Sequence, residues 1–208
     1  MPRVRVHQHV NPLSPYYRQQ PKPIDIATCF ADPTKPILLD IGCARGRFLL
    51  KMAGLRPEWN YLGVEIREPL VAEANRLAKE AGLTNLHYEF CNAMLWLDML
   101  LSRIPADILH LAAIQFPDPW FKKKHAKRRM VNEEMVKCLA RRLSPSSLVF
   151  IQTDIEPLAE EISELFRSSG HFSEEPVADD LFPVRTEREK AVEGKLLPVF
   201  RTAFRPGP

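Results

Sequence analysis

A carboxylate between two prolines stands next to a dense run of cations in the middle of the chain. The segment 116–120 reads Phe-Pro-Asp-Pro-Trp, and Lys122–Arg129 then places six lysines and arginines, with one histidine, in eight residues. The prolines fix their own φ and favour extended geometry at the residues before them, so we expect Asp118 to be held rigidly. Its carboxylate can accept hydrogen bonds from a heterocycle, and the ring of Trp120 can stack on one. The segment therefore predicts a polar pocket beside an anion-binding surface.

The cationic run indicates a polyanionic partner, because charges at this density repel one another unless counter-charge is supplied. The net charge is only +3, and the stretch from Glu156 to Glu193 holds eleven acidic and four basic residues, so the sequence predicts one basic face. Each feature also has an ordinary structural explanation. A run of cations is commonly a solvated face, and an Asp between prolines is commonly a turn residue. For Trp120, packing in the core is as common as stacking on a base. We expect phosphate contacts from Lys123, Lys124, Lys127, Arg128 and Arg129.

Composition limits the class of protein. The chain has 208 residues, 45% of them hydrophobic and 26% charged, which fits one globular domain. The four cysteines, at positions 29, 43, 91 and 138, have no close pairing, so neither a disulfide framework nor a metal site is expected. There is no signal-like start and no apolar stretch long enough for a membrane span. We therefore expect a cytoplasmic protein without a metal or a membrane partner.

A strand, a glycine-rich loop and a helix are predicted in this order after Pro36. The apolar run at 37–41 leads to Gly42 and Gly46 and then to helical spacing of apolar residues. A second apolar run ends at Glu65, 19 residues beyond Gly46, where βαβ nucleotide-binding units place the acceptor for ribose hydroxyls. The dinucleotide fingerprint is not met, and Asp40 would repel a pyrophosphate but attract an amino group. The pattern favours S-adenosylmethionine over NAD.

The alternation of strands and helices continues along the chain. It predicts further strands at 86–90, 107–114, 148–151 and 197–204, and helices at 70–81, 94–101, 131–143 and 158–166. Such alternation is typical of an α/β fold with a mostly parallel sheet and helices on both faces. We expect a domain over 36–208, preceded by an extended proline-rich arm over 1–35, which is either a plain mobile terminus or a further source of cationic contacts to a nucleic acid. We also expect the cationic run to open the helix at 131–143, against its macrodipole.

These motifs together resemble the single-chain bacterial tRNA (guanine-N7-)-methyltransferases, over about 36–204. The most specific part is Phe-Pro-Asp-Pro-Trp with the cations that follow it, and Thr153-Asp154 and Thr186–Glu189 support it. The resemblance implies a Rossmann-like S-adenosylmethionine-dependent methyltransferase fold, with S-adenosylmethionine as cofactor and tRNA as partner. The implied reaction is methylation of N7 of a variable-loop guanine. Monomer and homodimer both stay open.

The resemblance also implies roles for particular residues. Cofactor contacts are implied for Asp40, Gly42, Gly46, Glu65 and Asn92, and catalysis for Asp118. Substrate contacts are implied for Lys122, Asp154, Thr186, Glu187, Arg188 and Glu189. The chain departs from the family pattern at Ala44, where glycine is usual, and at Asn92, where aspartate is common; an amide there can still bond adenine.

Three other classes of function fit part of the sequence. A nicotinamide-dependent oxidoreductase would share the glycine-rich loop and the acid after the second strand. A methyltransferase acting on another RNA, a protein or a small molecule would share the cofactor site, although the basic run argues against a small acceptor. A nonenzymatic RNA-binding protein would keep the basic run, although Asp40, Glu65 and Asp118 together argue against lost catalysis.

Overall fold

The computed structural model describes residues 6, 7, 10–178 and 180–207, with the side chain of Lys123 left out. Seven strands and seven α-helices lie within these residues. The strands are β1 (Ile37–Ile41), β2 (Asn60–Glu65), β3 (Leu86–Phe90), β4 (Leu109–Gln115), β5 (Leu148–Thr153), β6 (Phe172–Glu175) and β7 (Phe200–Pro206). The α-helices are α1 (Ile26–Cys29), α2 (Arg47–Leu55), α3 (Glu68–Glu80), α4 (Ala93–Leu100), α5 (Glu133–Arg142), α6 (Glu156–Ser168) and α7 (Glu187–Glu193). Pro15–Arg18 and Lys123–Arg128 form 3-10 helices.

All seven strands belong to one sheet, in the order β3-β2-β1-β4-β5-β7-β6. Strands β1 to β5 pair in parallel, and β7 runs antiparallel between β5 and β6. The loops that follow the five parallel strands therefore share one edge of the sheet, and β7 begins at that same edge, with Phe200 opposite Thr153. In open α/β sheets this carboxyl edge is where ligands bind.

Helices cover both faces of the sheet, which is why the central strands are mostly apolar. Every residue of β1 and β2 is buried, as expected for parallel strands packed on both sides. One core cluster joins α4, α5 and α6 to one face, and a second joins α2 and α3 to the other. The predicted mostly parallel sheet with helices on both faces is confirmed.

Three details of the predicted elements are wrong. The cationic run does not open the helix at 131–143, because Asn132 caps α5 by accepting a hydrogen bond from the Met135 N–H, and Glu133 and Glu134 fill its first turn. These acids favour the helix macrodipole rather than oppose it. The final strand begins at Phe200 rather than at 197, and the sequence analysis missed β6 and α7.

The segment before β1 packs against the sheet and α4 over much of its length. Ile24 and Phe30 are buried in the core, and the Ile24 N–H donates to the Leu100 carbonyl at 2.9 Å. Residues 10–35 are therefore attached to the domain, although their 3-10 turn and α1 are short. Residues 1–5, 8 and 9 of the predicted arm lie outside the described residues. The domain boundary at residue 35 stays a prediction.

Candidate active site

The loop between β1 and α2 is shaped by three residues with positive φ. Gly42, Ala44 and Gly46 have φ of 84°, 51° and 67°. A Cβ on Gly46 would lie 2.4 Å from the ring of Tyr88, whose hydroxyl donates to the Gly46 carbonyl at 2.5 Å. Ala44 adopts left-handed backbone geometry despite its Cβ, and its N–H donates to Glu65 at 2.9 Å. The loop is thus compact and tied to the end of β2.

Asp40 lies at the carboxyl end of β1 with only 3% of its surface exposed. Its Oδ1 accepts a hydrogen bond from the Gln115 side-chain amide at 3.2 Å. Burial raises the pKa of Asp40 to about 7; the Gln115 hydrogen bond opposes this shift and the charge of Glu65 adds to it. A buried carboxylate with little positive charge around it is suited to an ammonium ligand, which would restore its ionised form.

Glu65 ends β2 and already accepts four hydrogen bonds. The donors are the backbone N–H groups of Ala44 and Arg67 at 2.9 Å, and the Arg67 guanidinium through Nε at 2.9 Å and Nη2 at 3.0 Å. Burial lowers the pKa of Arg67, but Glu65 and then Asp118 raise it, and the net shift is upward. Arg67 therefore lies close to both acids. Because a carboxylate offers about four acceptor positions, a ribose hydroxyl can bond Glu65 only if Arg67 yields one.

Asn92 follows β3 and is held by the segment before β1. Its Nδ2 donates to the carbonyls of Pro12 at 2.8 Å and Tyr17 at 3.1 Å. These contacts leave the side-chain oxygen as the atom able to accept from an adenine amino group. A cavity of about 470 Å³ adjoins Asn92, between residues 16–29 and the end of β3. It lies to one side of the edge that carries Asp40 and Asp118.

The loop after β4 is strained and braced. Phe116 and Trp120 have φ of 51° and 44°, which bulky residues adopt rarely and at a cost of about 1–3 kcal/mol each. The Phe116 N–H donates to the Gln152 carbonyl at 2.7 Å, and Arg129 Nε donates to the Pro119 carbonyl at 2.8 Å. Between these braces the side chain of Asp118 is exposed. Asp118 is thus an exposed residue on a braced loop.

The predicted cationic run divides into two groups. Arg128 lies 5.0 Å above the ring of Trp120, and Arg129 pairs with Glu161 as well as with the loop. The side chains of Lys122, Lys124 and Lys127 are exposed beside that loop. The side chain of Lys123 lies outside the described part of the chain. The exposed lysines are suited to phosphate contacts, whereas Arg128 and Arg129 pack against the Asp118 loop.

Thr186–Glu189 form the start of α7 at the same edge of the sheet. Thr186 and Glu189 make a capping box, in which each side chain accepts a hydrogen bond from the other residue's backbone N–H. Glu187 lies 3.5 Å from Arg47 and 3.4 Å from Lys51, and Arg188 pairs with Asp154. The structure therefore brings Asp154 and Thr186–Glu189 together, and all of these side chains have protein partners. Lys122, the remaining predicted substrate residue, lies apart from them on the segment after β4.

Four residues at this edge were missed by the sequence analysis. They are Arg67, Gln115, Gln152 and Arg201. Arg201 Nη2 donates to Glu189 at 2.7 Å, and the others contact Glu65, Asp40 and Glu189. None belongs to a recognised motif. The capping box did have a sequence signal, because Thr-x-x-Glu before a helix is its pattern.

Two kinds of feature are absent from the part of the chain that the structure describes. Among residues 6, 7, 10–178 and 180–207, no group of three or more His, Cys, Asp or Glu side chains could hold a metal ion. Among the same residues, no helix is long and apolar enough to cross a membrane.

The chain is similar to known methyltransferases over nearly its whole length. A family model described as "Putative methyltransferase" matches residues 34–202. The tRNA (guanine-N(7)-)-methyltransferase of Synechococcus elongatus is 51% identical over 207 residues, covering 98% of this chain and 97% of the relative. The enzyme of the same description from Trichormus variabilis is 47% identical over 208 residues, covering 98% and 97%.

Solved structures show the same fold at low sequence identity. The 16S rRNA methyltransferase KamB has a TM-score of 0.60 and 13% identity, with 92% of this chain and 98% of that chain covered. Precorrin-6y C5,15-methyltransferase from Geobacter metallireducens has a TM-score of 0.56 and 12% identity, with 88% and 85% covered. These neighbours confirm the predicted methyltransferase fold.

Proposed function

Because the chain belongs to the tRNA (guanine-N7-)-methyltransferase family, we propose that its Asp118 loop presents one tRNA guanine to a methyl donor held between Asp40 and Asn92. The family relation covers nearly the whole chain, and the protein is an S-adenosylmethionine-dependent enzyme that methylates N7 of guanine in tRNA. The nicotinamide-dependent and nonenzymatic alternatives are thereby excluded. The proposal concerns the role of each side chain in that reaction.

The residues at the ends of β1, β2 and β3 fit the cofactor. Asp40 is buried and suited to the amino group of the methionine moiety, and the compact Gly42–Gly46 loop allows close approach of a ligand to its backbone. Glu65 would accept the ribose hydroxyls once Arg67 gives up one bond, and the Asn92 oxygen would accept from the adenine amino group. Bound S-adenosylmethionine supplies a methyl group on a cationic sulfur, and the electrons of the broken carbon–sulfur bond stay on that sulfur.

The protein has to position the guanine rather than deprotonate it. Guanine N7 carries a lone pair at neutral pH, so no side chain has to act as a base. Forming the new bond makes the purine cationic, and a nearby carboxylate stabilises that charge more in the product than in the reactant. Asp118 is exposed on a braced loop, and can accept hydrogen bonds from guanine N1–H and the amino group. Positioning of the two reactants supplies the rest of the acceleration.

The tRNA backbone would be held by the exposed lysines around that loop. Lys122 lies two residues from Trp120, and Lys124 and Lys127 follow on the 3-10 helix. Cationic side chains on this surface release counterions from the phosphates as tRNA binds, which favours association at low salt. For Arg128 and Arg129 phosphate contact stays a prediction, and their described contacts favour a structural role in the loop.

Thr186–Glu189 and Asp154 would form the far wall of the guanine pocket. Their partners tie α7 to β5 and β7, so their contribution is first of all to hold the shape of this wall. The resemblance implies that the target lies in the variable loop, and we keep that position as a proposal. We place the reaction in the cytoplasm, since all four cysteines are free thiols, as expected in a reducing compartment.

The experiment that tests this assignment is methyl transfer to unmodified tRNA. Wild-type protein is incubated with methyl-labelled S-adenosylmethionine and tRNA transcripts, and labelled nucleosides are identified and mapped along the chain. We expect label in N7-methylguanosine at one variable-loop position. Label at another tRNA position would contradict the variable-loop proposal alone, and label on another base would contradict the guanine-binding role of Asp118.

A further inference from the structure

A chain of side-chain hydrogen bonds runs along the ends of β1, β4 and β5 to α7. Asp40 Oδ1 accepts from Gln115 Nε2 at 3.2 Å, and Gln115 Oε1 accepts from Gln152 Nε2 at 2.8 Å. Gln152 Nε2 also lies 3.4 Å from Glu189 Oε2. Gln152 and Glu189 are buried, so these bonds are shielded from water. The two amides thus connect Asp40 of the cofactor site with Glu189. Glu189 belongs to the proposed wall of the guanine pocket formed by Asp154 and Thr186–Glu189, which we call the substrate wall.

The direction of the bonds is set by the carboxylates at the two ends. An ionised carboxylate only accepts, so each end requires a donor. With two amides between two acceptors, one amide group must donate both of its hydrogens, and here Gln152 does so. The carbonyl oxygen of Gln152 is buried and accepts no hydrogen bond from any of the residues that the structure describes. A buried carbonyl left unpaired costs stability, so this orientation is not explained by stability alone.

We propose that Gln115 and Gln152 are positioning residues that couple cofactor binding at Asp40 to the docking of Glu189 and α7 at the substrate wall. This inference rests on the proposed function, which gives Asp40 to the cofactor and Thr186–Glu189 to the substrate. Neither glutamine touches the reacting atoms. Both act by fixing the charge and orientation of Asp40 and Glu189.

The coupling follows from what protonation of Asp40 would change. A neutral carboxyl can donate its O–H, and when it donates to Gln115, that amide turns its carbonyl toward Asp40 and its NH2 group toward Gln152. The NH2 group of Gln152 could no longer donate to Gln115. If Gln152 turned in response, its carbonyl oxygen would face the carboxylate of Glu189, and that contact is repulsive. Ionised Asp40 and a docked Glu189 therefore favour each other.

Docking of Glu189 matters because this residue holds the start of α7. It accepts from the Thr186 N–H at 3.1 Å and from Arg201 Nη2 at 2.7 Å. Loss of the Gln152 bond would loosen the capping box, and with it the orientation of Thr186 and Arg188 on the substrate wall. A cofactor ammonium that keeps Asp40 ionised would thus prepare the protein for tRNA.

Other charged and titratable groups surround Asp40 and bear on any pH dependence. They are Glu65 with its partner Arg67 from the end of β2, Cys43 from the loop, and Tyr88 from β3. Burial raises the pKa of both Cys43 and Tyr88, so these two groups are neutral at pH 7. Asp40 itself, with its pKa raised to about 7, is the group that titrates in the neutral range.

The first test measures how the cofactor product, S-adenosylhomocysteine, changes tRNA affinity without allowing transfer. The variants are Gln115→Met and Gln152→Met, which keep side-chain length but remove the amide, with Glu80→Met, at an exposed position at the C-terminal end of α3, as the control. In wild type and control we expect S-adenosylhomocysteine to tighten tRNA binding at least about fivefold. In both variants we expect less than about a twofold change. Full coupling in Gln152→Met, or none in wild type, would overturn the inference.

The second test separates the two glutamines by the pH dependence of S-adenosylhomocysteine binding. Gln115→Met removes the hydrogen bond that lowers the pKa of Asp40, so this carboxylate becomes protonated at a higher pH. As the pH is lowered, the affinity for S-adenosylhomocysteine should therefore begin to fall at a higher pH than in wild type. Gln152→Met keeps that bond but uncouples Asp40 from Glu189, so its profile should shift in the same direction and less far than that of Gln115→Met. Identical profiles for all three proteins would contradict the inference. Calorimetric binding also shows that each variant is folded, and because no methyl transfer is measured, failure here leaves the proposed function standing.

Discussion

Replacing Arg129 with methionine tests whether the last arginine of the cationic run braces the catalytic loop or binds tRNA phosphate. Its Nε donates to the Pro119 carbonyl at 2.8 Å, and 22% of its side chain is exposed. A hydrogen bond from a charged group contributes about 1.5–3 kcal/mol, which corresponds to about 10- to 150-fold in rate. The partial exposure favours the lower end. We therefore expect Arg129→Met to lower single-turnover methylation about tenfold.

The bond from Arg129 to Pro119 explains why Arg129→Met should lower the rate of methylation rather than the affinity for tRNA. Phe116 and Trp120 keep positive φ only while the surrounding contacts impose it, so a loosened loop relaxes and Asp118 loses its place. Affinity for tRNA and for S-adenosylhomocysteine should change less than about threefold. This limit corresponds to about 0.7 kcal/mol.

The control for this variant is Glu161→Gln, which removes the ion pair but keeps the bond to Pro119. An ion pair at this exposure contributes at most about 1 kcal/mol, so the rate should fall by no more than about fivefold. The brace would be refuted if Arg129→Met weakened tRNA binding tenfold and left the single-turnover rate unchanged. A tighter tRNA complex in Glu161→Gln would point the same way, since it would mean that the freed arginine binds phosphate.

Three further predictions follow from the site. Gly46→Ala forces a Cβ against Tyr88 at positive φ, so it should destabilise the protein by at least about 2 kcal/mol and lower Tm by about 4–8 °C. The control Gly54→Ala, which has open space around it in α2, should not lower Tm. Glu65→Gln should weaken S-adenosylmethionine binding at least about tenfold by calorimetry, and an unchanged Kd would remove its ribose role. Replacing the exposed Lys122, Lys124 and Lys127 together by glutamine should reduce the slope of log K against log salt for tRNA binding by about 2–3. A slope equal to that of wild type would contradict their phosphate contacts.

The sequence was most informative where a strand ends in a residue of unusual type. Asp40, Glu65 and Asp118 each follow an apolar run, and parallel strands bring their carboxyl ends to one edge by topology alone. The positions of these acids at that edge could therefore be predicted. The helix over 131–143 could be predicted from its spacing, but its start at Glu133 depends on the Asn132 cap, which the spacing of apolar residues does not reveal.

The contacts within the site could not be predicted, because they depend on how loops fold back in three dimensions. The sequence presents Lys122–Arg129 as one cationic run, yet Arg129 turns to Pro119 and Arg128 to Trp120. Gln115 and Gln152 carry no motif, and only the alignment of β4 with β5 brings them together as opposite residues. Arg67 likewise follows Glu65 as an ordinary helix-start residue, and its place between two acids appears only in the folded chain.

The most direct measurement of the central claim is the single-turnover rate of N7-methylguanosine formation by Asp118→Asn, which keeps the shape of the side chain and removes its charge. With the stabilisation of the cationic purine lost, we expect a fall of about 100-fold or more, on the scale of other lost electrostatic contacts to a transition state. The Kd of S-adenosylmethionine should stay within a few fold of wild type. A variant that transfers methyl groups to N7 at the wild-type rate would contradict the account.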